Sequence, residues 1–567
     1  MALIQMFRRI VLLVLALIIA QMVWISALRV ASQGPDGRLL ELLEPSAQSQ
    51  AQQPGPGDGP WFGLFGGVSA ANGIPVVDLL REHVGVSATL LGWSLLAALV
   101  FGVIGALIAT SANRLEARAP LLGLLLKLIL GLPAMLWVAL PLFGLGLFVL
   151  YQFAIVWELL PAVGFNVFPD DDAVRLPARH LVLPLFTLVG LPATLVASAA
   201  YEYWYRGARR SGWYSLLAGL GRGIVAAVAA VLVVESLFRI PGVGTLAVSS
   251  VLQLDIPVFS GIIQLALFVA ADGLAVTALG DGFARLTAPA DRAAESADQP
   301  TASHRREAVW LALALASLLI PLVMLVLTLG VSSEGALQPQ IGQSTVPSLE
   351  APFGRDQLGR NTFTRMLIGL RQALLTAALA AGLALVPGVL WGFLVAALAR
   401  WRGALGESLA DLLLLPALVI TVFPLLIAAI ALRVLFLGIG EGITLVVLWV
   451  GLLLPRVALA ARDVWHDHQR WDRRLVLRSA AGLFLFAVGA VTTTGFTLDA
   501  FGLGVLPPNP SLGGIMQEQV LLLSPDAALS ILGTLLLTLA VSGPCFFAGW
   551  ILLRPLRRAQ ALATLVI

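Results

Sequence analysis

The sequence predicts an all-α polytopic membrane protein with about twelve transmembrane helices arranged in two halves. Composition supports this fold class, because 59% of the 567 residues are hydrophobic and only 12% are charged. A soluble chain carries about 25% charged residues, and the mean hydropathy here is +0.93. Apolar runs of spanning length also flank a polar stretch, residues 287–306, near the middle of the chain. Because a bilayer core offers no partners for its charges, this stretch is predicted to join two membrane halves.

Residue usage excludes several classes of function. The formal net charge of +3 is too small to favour nucleic-acid binding. The single lysine, Lys127, lies inside an apolar run, so the chain has no GxxxxGK[ST] loop for ATP phosphates. The single cysteine, Cys545, excludes an internal disulfide or a thiolate cluster and is expected to be a small buried apolar residue. We therefore expect neither an enzyme nor a cofactor.

The first half is predicted to begin with a retained span and not with a signal peptide. Arg8 and Arg9 precede the apolar run 10–30, which exceeds a signal h-region in length and lacks a clear A-x-A cleavage site. Residues 31–60 are rich in Gln, Ser, Pro and Gly and are predicted to form a loop outside the membrane. Further apolar runs follow at 88–110, 121–151, 180–201, 223–238 and 260–280. The second of these is long and contains three residues expected to break or bend it: Gly131, Pro133 and Pro141.

The second half repeats this plan. Its apolar runs lie at 309–330, 373–399, 409–437, 443–461, 479–497 and 527–553. We therefore divide the chain into a first half at 1–286, a cytoplasmic linker at 287–308 and a second half at 309–567.

Arginine positions predict the orientation. When the spans alternate, most arginine clusters fall on one side of the membrane, which identifies that side as cytoplasmic. These clusters are Arg8 and Arg9, Arg114 and Arg118, Arg206, Arg209 and Arg210, Arg305 and Arg306, Arg400 and Arg402, Arg470, Arg473 and Arg474, and Arg554, Arg557 and Arg558. Both termini and the linker are then cytoplasmic, in a bacterial-type inner membrane. Four arginines fall on the outer side against the rule: Arg355, Arg360, Arg365 and Arg371.

Three outward-facing stretches carry a family resemblance. They read VESLFRIPGVGTLAVSSVLQLDIPVFSG at 234–261, APFGRDQLGRNTFTRMLIGLRQALL at 351–375 and FGLGVLPPNPSLGGIM at 501–516. The first resembles the segment before the last span of the first permease in dipeptide/oligopeptide/nickel-type ABC importers. The second and third are similar to outer segments of the second permease, and HLVLPLFTLVG from His180 matches the entry to a middle span. The resemblance covers nearly the whole chain and implies two fused permeases that work with separate ATPase subunits and an external substrate-binding protein.

The chain departs from that family at the loops that contact the ATPase. The family's EAA motif forms a cytoplasmic coupling helix, but the corresponding loops here, at 202–222 and 462–478, are much shorter. SAAG at 479–482 is similar to a fragment of that motif, yet an apolar span follows it directly. The sequence therefore leaves open a permease that forms the translocation pathway, a degenerate permease that serves as a structural or assembly subunit of another membrane complex, and an ion-coupled carrier.

Two groups of candidate site residues follow from the resemblance and the charge pattern. The candidate pathway and gate residues are Glu235, Asp499, Pro241, Gly242, Pro507 and Pro508. The family commonly has a glutamate before its FLGLG motif, where this chain has Gly495 with Asp499 nearby, whereas the first half keeps Glu235. The candidate contacts for a cytoplasmic partner are Arg206, Arg209, Arg210, Trp465, Arg470, Arg473 and Arg474.

Other polar residues have simpler interpretations. Glu235 could equally pair with Arg239, one helical turn later, and Asp272 is expected to face the helix bundle. Glu407 and Asp411 are expected to be interfacial. The pattern His466-Asp467-His468 lacks a third ligand for a metal, and the run of Asp170, Asp171 and Asp172 is interpreted as an exposed acidic loop.

Overall fold

The computed structural model describes residues 2–32, 67–116, 118–162, 178–205, 209–253, 255–287, 304–332, 338–339, 347–401, 403–435, 441–466, 473–522 and 527–553. Within these ranges the regular structure is helical, apart from two isolated β-bridges. The predicted all-α class is confirmed.

Eight α-helices precede the polar stretch. They are α1 (Ala2–Ser32), α2 (Val76–Glu116), α3 (Pro120–Ala139), α4 (Leu142–Leu150), α5 (Ala178–Tyr205), α6 (Arg209–Phe238), α7 (Val243–Leu252) and α8 (Ile256–Thr287). A π-helical turn at Tyr151–Val156 continues α4.

Nine α-helices follow the polar stretch. They are α9 (His304–Ser317), α10 (Leu319–Leu329), α11 (Thr362–Trp401), α12 (Gly403–Thr421), α13 (Leu425–Leu435), α14 (Glu441–His466), α15 (Arg473–Ala500), α16 (Leu512–Leu522) and α17 (Ala527–Leu553).

The length and apolar character of these helices confirm a multi-pass membrane protein. Among the described residues, nine helical segments can cross a bilayer, or up to eleven if each of two bent pairs forms one span. One bent pair is α3–α4, where the chain turns by 113°, and Pro141 lies at this break as the sequence predicts. The other is α12–α13, which turns by 76° just before Leu425, although the sequence predicts one continuous run there. Pro424 causes this unforeseen break, because its ring cannot continue the hydrogen bonding of α12.

Small residues set how closely the helices pack. A side chain at Gly221 of α6 would strike the backbone of Gly273 on α8, and one at Gly280 would strike the backbone of Ala218. Such contacts are typical of membrane helices, where dispersion and close approach replace the hydrophobic effect between neighbours.

The helices before and after the polar stretch interlock. α3 and α4 pack against α17, α4 also packs against α15, and α13 packs against α6. The hydroxyl of Ser542 on α17 donates to the carbonyl of Ala139 at 2.5 Å, and the Phe143 and Phe501 rings meet edge-on at 5.4 Å. Helix α1 joins both sets, since it packs against α8, α12 and α13.

Candidate functional site

Glu235 holds the turn that follows α6. Its carboxylate is fully buried, and Oε2 accepts a hydrogen bond of 2.6 Å from the backbone N–H of Gly244 at the start of α7. Ser87 of α2 also hydrogen-bonds this carboxylate, and its hydroxyl oxygen accepts from the N–H of Val243 at 2.8 Å. A carboxylate at a helix N-terminus is stabilised by the unpaired N–H groups there.

The Pro241–Gly242 turn is shaped around that carboxylate. A side chain at Gly242 would meet the carboxyl group of Glu235, so glycine is required for the chain to pass. Pro241 is partly buried. The alternative pairing of Glu235 with Arg239 is wrong, because Arg239 sits at the helix end with φ of 51° and is exposed while the carboxylate turns inward to α7.

Asp499 occupies a comparable place at the end of α15. Its Oδ1 accepts a 2.9 Å hydrogen bond from the N–H of Val505, and the hydroxyl of Ser511 also hydrogen-bonds its carboxylate. Gly504 passes so close that any side chain there would collide with this carboxylate. Pro507 and Pro508 follow in the same turn, are joined by a cis peptide bond and are exposed.

The two turns approach the same apolar cavity. This cavity of about 40 Å³ lies between α6, α7 and α8 on one side and α13 with the turn after α15 on the other. Gly244 lines it from the first turn, and Phe501 and Leu503 line it from the second. A ligand pocket usually measures about 300–1,000 Å³. The space between the two sets of helices is therefore too small for a peptide in this conformation.

The expected cytoplasmic contact residues are only partly described. Arg206 and Arg470 lie outside the described residues, and Arg209, Arg210, Arg473 and Arg474 lie at helix starts where only the backbone is described. Trp465 is 3% exposed, and its ring meets Phe393 edge-on at 5.7 Å. The expectation that Trp465 presents a surface to a partner is therefore wrong, because the last turn of α14 packs it against α11.

The connections at this end of the helices are short. Three residues, 206–208, separate α5 from α6, and six residues, 467–472, separate α14 from α15. Six residues of α-helix extend only about 9 Å. Neither connection has room for a separate docking helix between the spans that it joins.

Three further polar residues of the sequence analysis are described. Glu407 and Asp411, expected to be interfacial, both form ion pairs with Arg8 of α1, at 2.6 Å and 2.5 Å. Asp272 is exposed on the surface of α8, although it was expected to face the bundle. The packed face of α8 carries Gly273 and Gly280, and a neighbouring residue lies about 100° away around a helix.

Within the described part of the chain, no group of three or more His, Cys, Asp or Glu side chains converges. The described residues therefore give no support for a metal site. His466 ends α14, and Asp467, His468 and the acidic run 170–172 lie outside the described residues. Cys545 is buried as expected.

The sequence analysis missed an ion-pair network in the turn before α11. Arg365, which is 3% exposed, donates to Asp356 at 2.7 Å and to both carboxylate oxygens of Glu518 on α16 at 2.7 and 3.0 Å. Arg360 binds the same Asp356 carboxylate at 2.7 Å through Nε. Two of the four arginines that break the orientation rule, Arg360 and Arg365, are therefore paired with carboxylates at this turn. The sequence signal for this turn was the spacing of the two glycines in GRDQLGR. Gly354 and Gly359 adopt φ of 71° and 74° and close the turn.

A second unexpected feature is a fully buried arginine in α14. Arg456 donates from Nη1 to the carbonyl of Leu452 at 3.0 Å and from Nη2 to the carbonyl of Phe423 at 2.5 Å. The carbonyl of Phe423 lies at the break between α12 and α13. The guanidinium group of Arg456 donates a hydrogen bond to this carbonyl and thereby stabilises the bend.

Comparison with known proteins gives no assignment: no family model matches the chain, and no curated protein matches its sequence.

Proposed function

We propose that the chain is the membrane-spanning permease of a peptide/nickel-type ABC importer, with two permease-like halves fused in one polypeptide. The observation that carries this proposal is a repeated order of elements on either side of the polar stretch. The resemblance of the three outer motifs supports the same division, since each motif lies in the half that the family implies.

The repeat extends to details that sequence similarity does not impose. An isolated antiparallel bridge, Val68 with Pro75, ends directly before α2, and a second bridge, Arg355 with Asn361, ends directly before α11. Helices α2 and α11 have 41 and 40 residues. Each is followed by a bent pair, α3–α4 and α12–α13.

The remaining helices correspond in order and length. α5 and α14 have 28 and 26 residues, α6 and α15 have 30 and 28, and the short helices α7 and α16 have 10 and 11. α8 and α17 close each series with 32 and 27 residues. A carboxylate, Glu235 or Asp499, holds the turn before the short helix in each series. A shared permease-like plan explains this correspondence better than chance does.

The same plan accounts for twelve spans. Nine straight segments and two bent pairs give eleven, and α1 adds the twelfth, in the position that α9–α10 takes in the second half. Both termini then lie in the cytoplasm of a bacterial-type inner membrane. The substrate would pass between the halves, through the apolar cavity beneath the two turns, once the halves separate.

A second function is favoured by the short cytoplasmic connections. With three and six residues between the spans, neither half offers the coupling helix through which an ATPase moves the family's permeases. In this alternative the chain is a permease-like scaffold that assembles with other membrane subunits and does not couple to ATP hydrolysis.

Purification of the full-length protein from its native membrane in mild detergent tests the proposal. Co-purification of nucleotide-binding subunits in stoichiometric amounts is expected, with ATPase activity that falls at least about tenfold in Arg473→Glu and is unchanged in Arg355→Glu on the outer side. That fold-change corresponds to about 1.4 kcal/mol. A stable complex with other membrane proteins and without any ATPase would instead establish the scaffold function.

A further inference from the structure

A second cavity lies wholly within the later helices, next to Asp499. It measures about 40 Å³ and is enclosed by α11, α14, α15, α16, α17 and the turn between α15 and α16. Its lining is mostly apolar, but unlike the cavity between the halves it also includes several polar side chains. Its polar lining side chains are Gln372, Thr376, Thr492, Asp499, Ser511 and Thr538.

The carboxyl group of Asp499 lies at the wall of this cavity and is partly buried. It accepts hydrogen bonds from the N–H of Val505 and the hydroxyl of Ser511, and the N-terminus of α16 lies beside it. Among the described lining residues none is lysine, arginine or histidine, so the lining offers this carboxyl group no basic side chain. An acidic residue inside a membrane protein normally has a partner.

Two hydroxyl groups at the cavity are oriented as acceptors. Thr492 donates to the carbonyl of Val488 at 2.8 Å, and Thr538 donates to the carbonyl of Thr534 at 2.8 Å. A hydroxyl has one hydrogen to donate and two lone pairs. Because both hydrogens are engaged within the helices, these two oxygens can offer only lone pairs. An occupant that contacts them therefore presents a hydrogen-bond donor or a cation.

Charge and size restrict the occupant further. One carboxylate balances a single positive charge, whereas protein sites for divalent calcium usually combine several carboxylates. A cavity of about 40 Å³ exceeds the minimum of roughly 10–15 Å³ for one water. It has room for an ion and one water, and not for an amino acid.

We propose that this cavity binds a small monovalent cation, Na⁺ or an ion of its size, through Asp499 and the neighbouring hydroxyl oxygens. Glu235, the corresponding carboxylate before the polar stretch, is fully buried and lines neither of these two cavities. The permease proposal does not require this ligand. The site could equally be present if the chain is a scaffold.

Thermal unfolding of the purified full-length protein tests the site. The melting temperature is measured in detergent as NaCl replaces choline chloride at constant ionic strength. A saturable rise with Na⁺ is expected for the wild type and for Glu518→Gln, a carboxylate on α16 outside the cavity. No rise is expected for Asp499→Asn. Equal melting temperatures in the two salts, or a Na⁺ dependence retained in Asp499→Asn, would overturn the proposal.

A milder pair of variants covers the case in which Asp499→Asn does not fold. Thr538→Val removes one lining oxygen with little change of volume, and Thr534→Val removes a buried hydroxyl that does not line the cavity. The Na⁺ concentration at half-saturation is expected to rise about tenfold in the first and to stay unchanged in the second. An unchanged value in Thr538→Val would contradict the assignment whatever the outcome of the co-purification experiment.

Discussion

Individual side chains explain why three turns between helices have fixed shapes. The carboxylates of Glu235, Asp499 and Asp356 each bind backbone N–H groups of the turn beside them. The first two could be selected from the sequence, because an acidic residue at the end of an apolar run is unusual. Asp356 could not, since charges in a loop are normally solvated and the second carboxylate bound by its partner Arg365, that of Glu518, lies far along the chain.

Loss of Asp356 is expected to destabilise the turn before α11 strongly. In Asp356→Ala, Arg360 and Arg365 lose a shared partner and two backbone N–H groups lose their acceptor. Breaking a buried ion pair costs about 3–5 kcal/mol, which is the expected decrease in the free energy of unfolding in mixed micelles. Glu350→Ala changes an exposed carboxylate in the same stretch and should stay within about 0.5 kcal/mol. Equal effects of the two substitutions would show that the network contributes nothing.

Asp272 shows where residue-level reasoning failed. The sequence shows that Asp272 lies near the centre of the α8 segment, but it does not show on which face of the helix the side chain lies. Because aspartate at a helix centre costs about 2.5–3.5 kcal/mol on insertion, Asp272→Leu should favour insertion of the α8 segment by about 3 kcal/mol. A glycosylation-based insertion assay measures this, with Asp281→Leu near the helix end as the control. An effect of Asp272→Leu no larger than that of the control would contradict a central position.

At the scale of elements, the sequence predicted the apolar spans and missed how they bend and extend. Pro141 was recognised as a break, whereas Pro424 lies within a run whose hydropathy stays high on both sides. Helix α6 also begins well before the predicted run, because glycine and polar residues lower the hydropathy of its first turns without preventing a helix. Tertiary packing supports such turns where local pattern does not.

The close contact of α6 with α8 gives an element-level prediction. In Gly221→Ala the added methyl group would displace the backbone of Gly273, and overpacking of this kind costs about 1–3 kcal/mol. Gly451→Ala places the same methyl in open space on α14 and should be neutral or stabilising by up to about 1 kcal/mol. The stabilities of the two variants are compared by thermal unfolding. A Gly221→Ala protein as stable as Gly451→Ala would mean that the two helices are not in contact as described.

At the scale of the whole molecule, the motifs and the central polar stretch of the sequence predicted two halves, but not how the helices on either side of that stretch contact each other. Each bent helix pair packs against helices on the opposite side of the polar stretch, and Arg8 joins α1 to α12 through two carboxylates. Such contacts depend on bends and on long-range pairings, which local sequence patterns do not encode. The parallel arrangement of the halves is the claim on which the permease proposal rests.

Labelling of single cysteines in intact cells tests that claim most directly. Cys545→Ala removes the only native thiol, and cysteines then replace Ala71 before α2 or Gln357 before α11, both of which are exposed. A membrane-impermeant maleimide should label both from outside, whereas Arg118→Cys and Trp401→Cys, at the opposite ends of α2 and α11, should react only after permeabilisation. Labelling of Ala71→Cys and Gln357→Cys from opposite sides of the membrane would contradict two parallel halves.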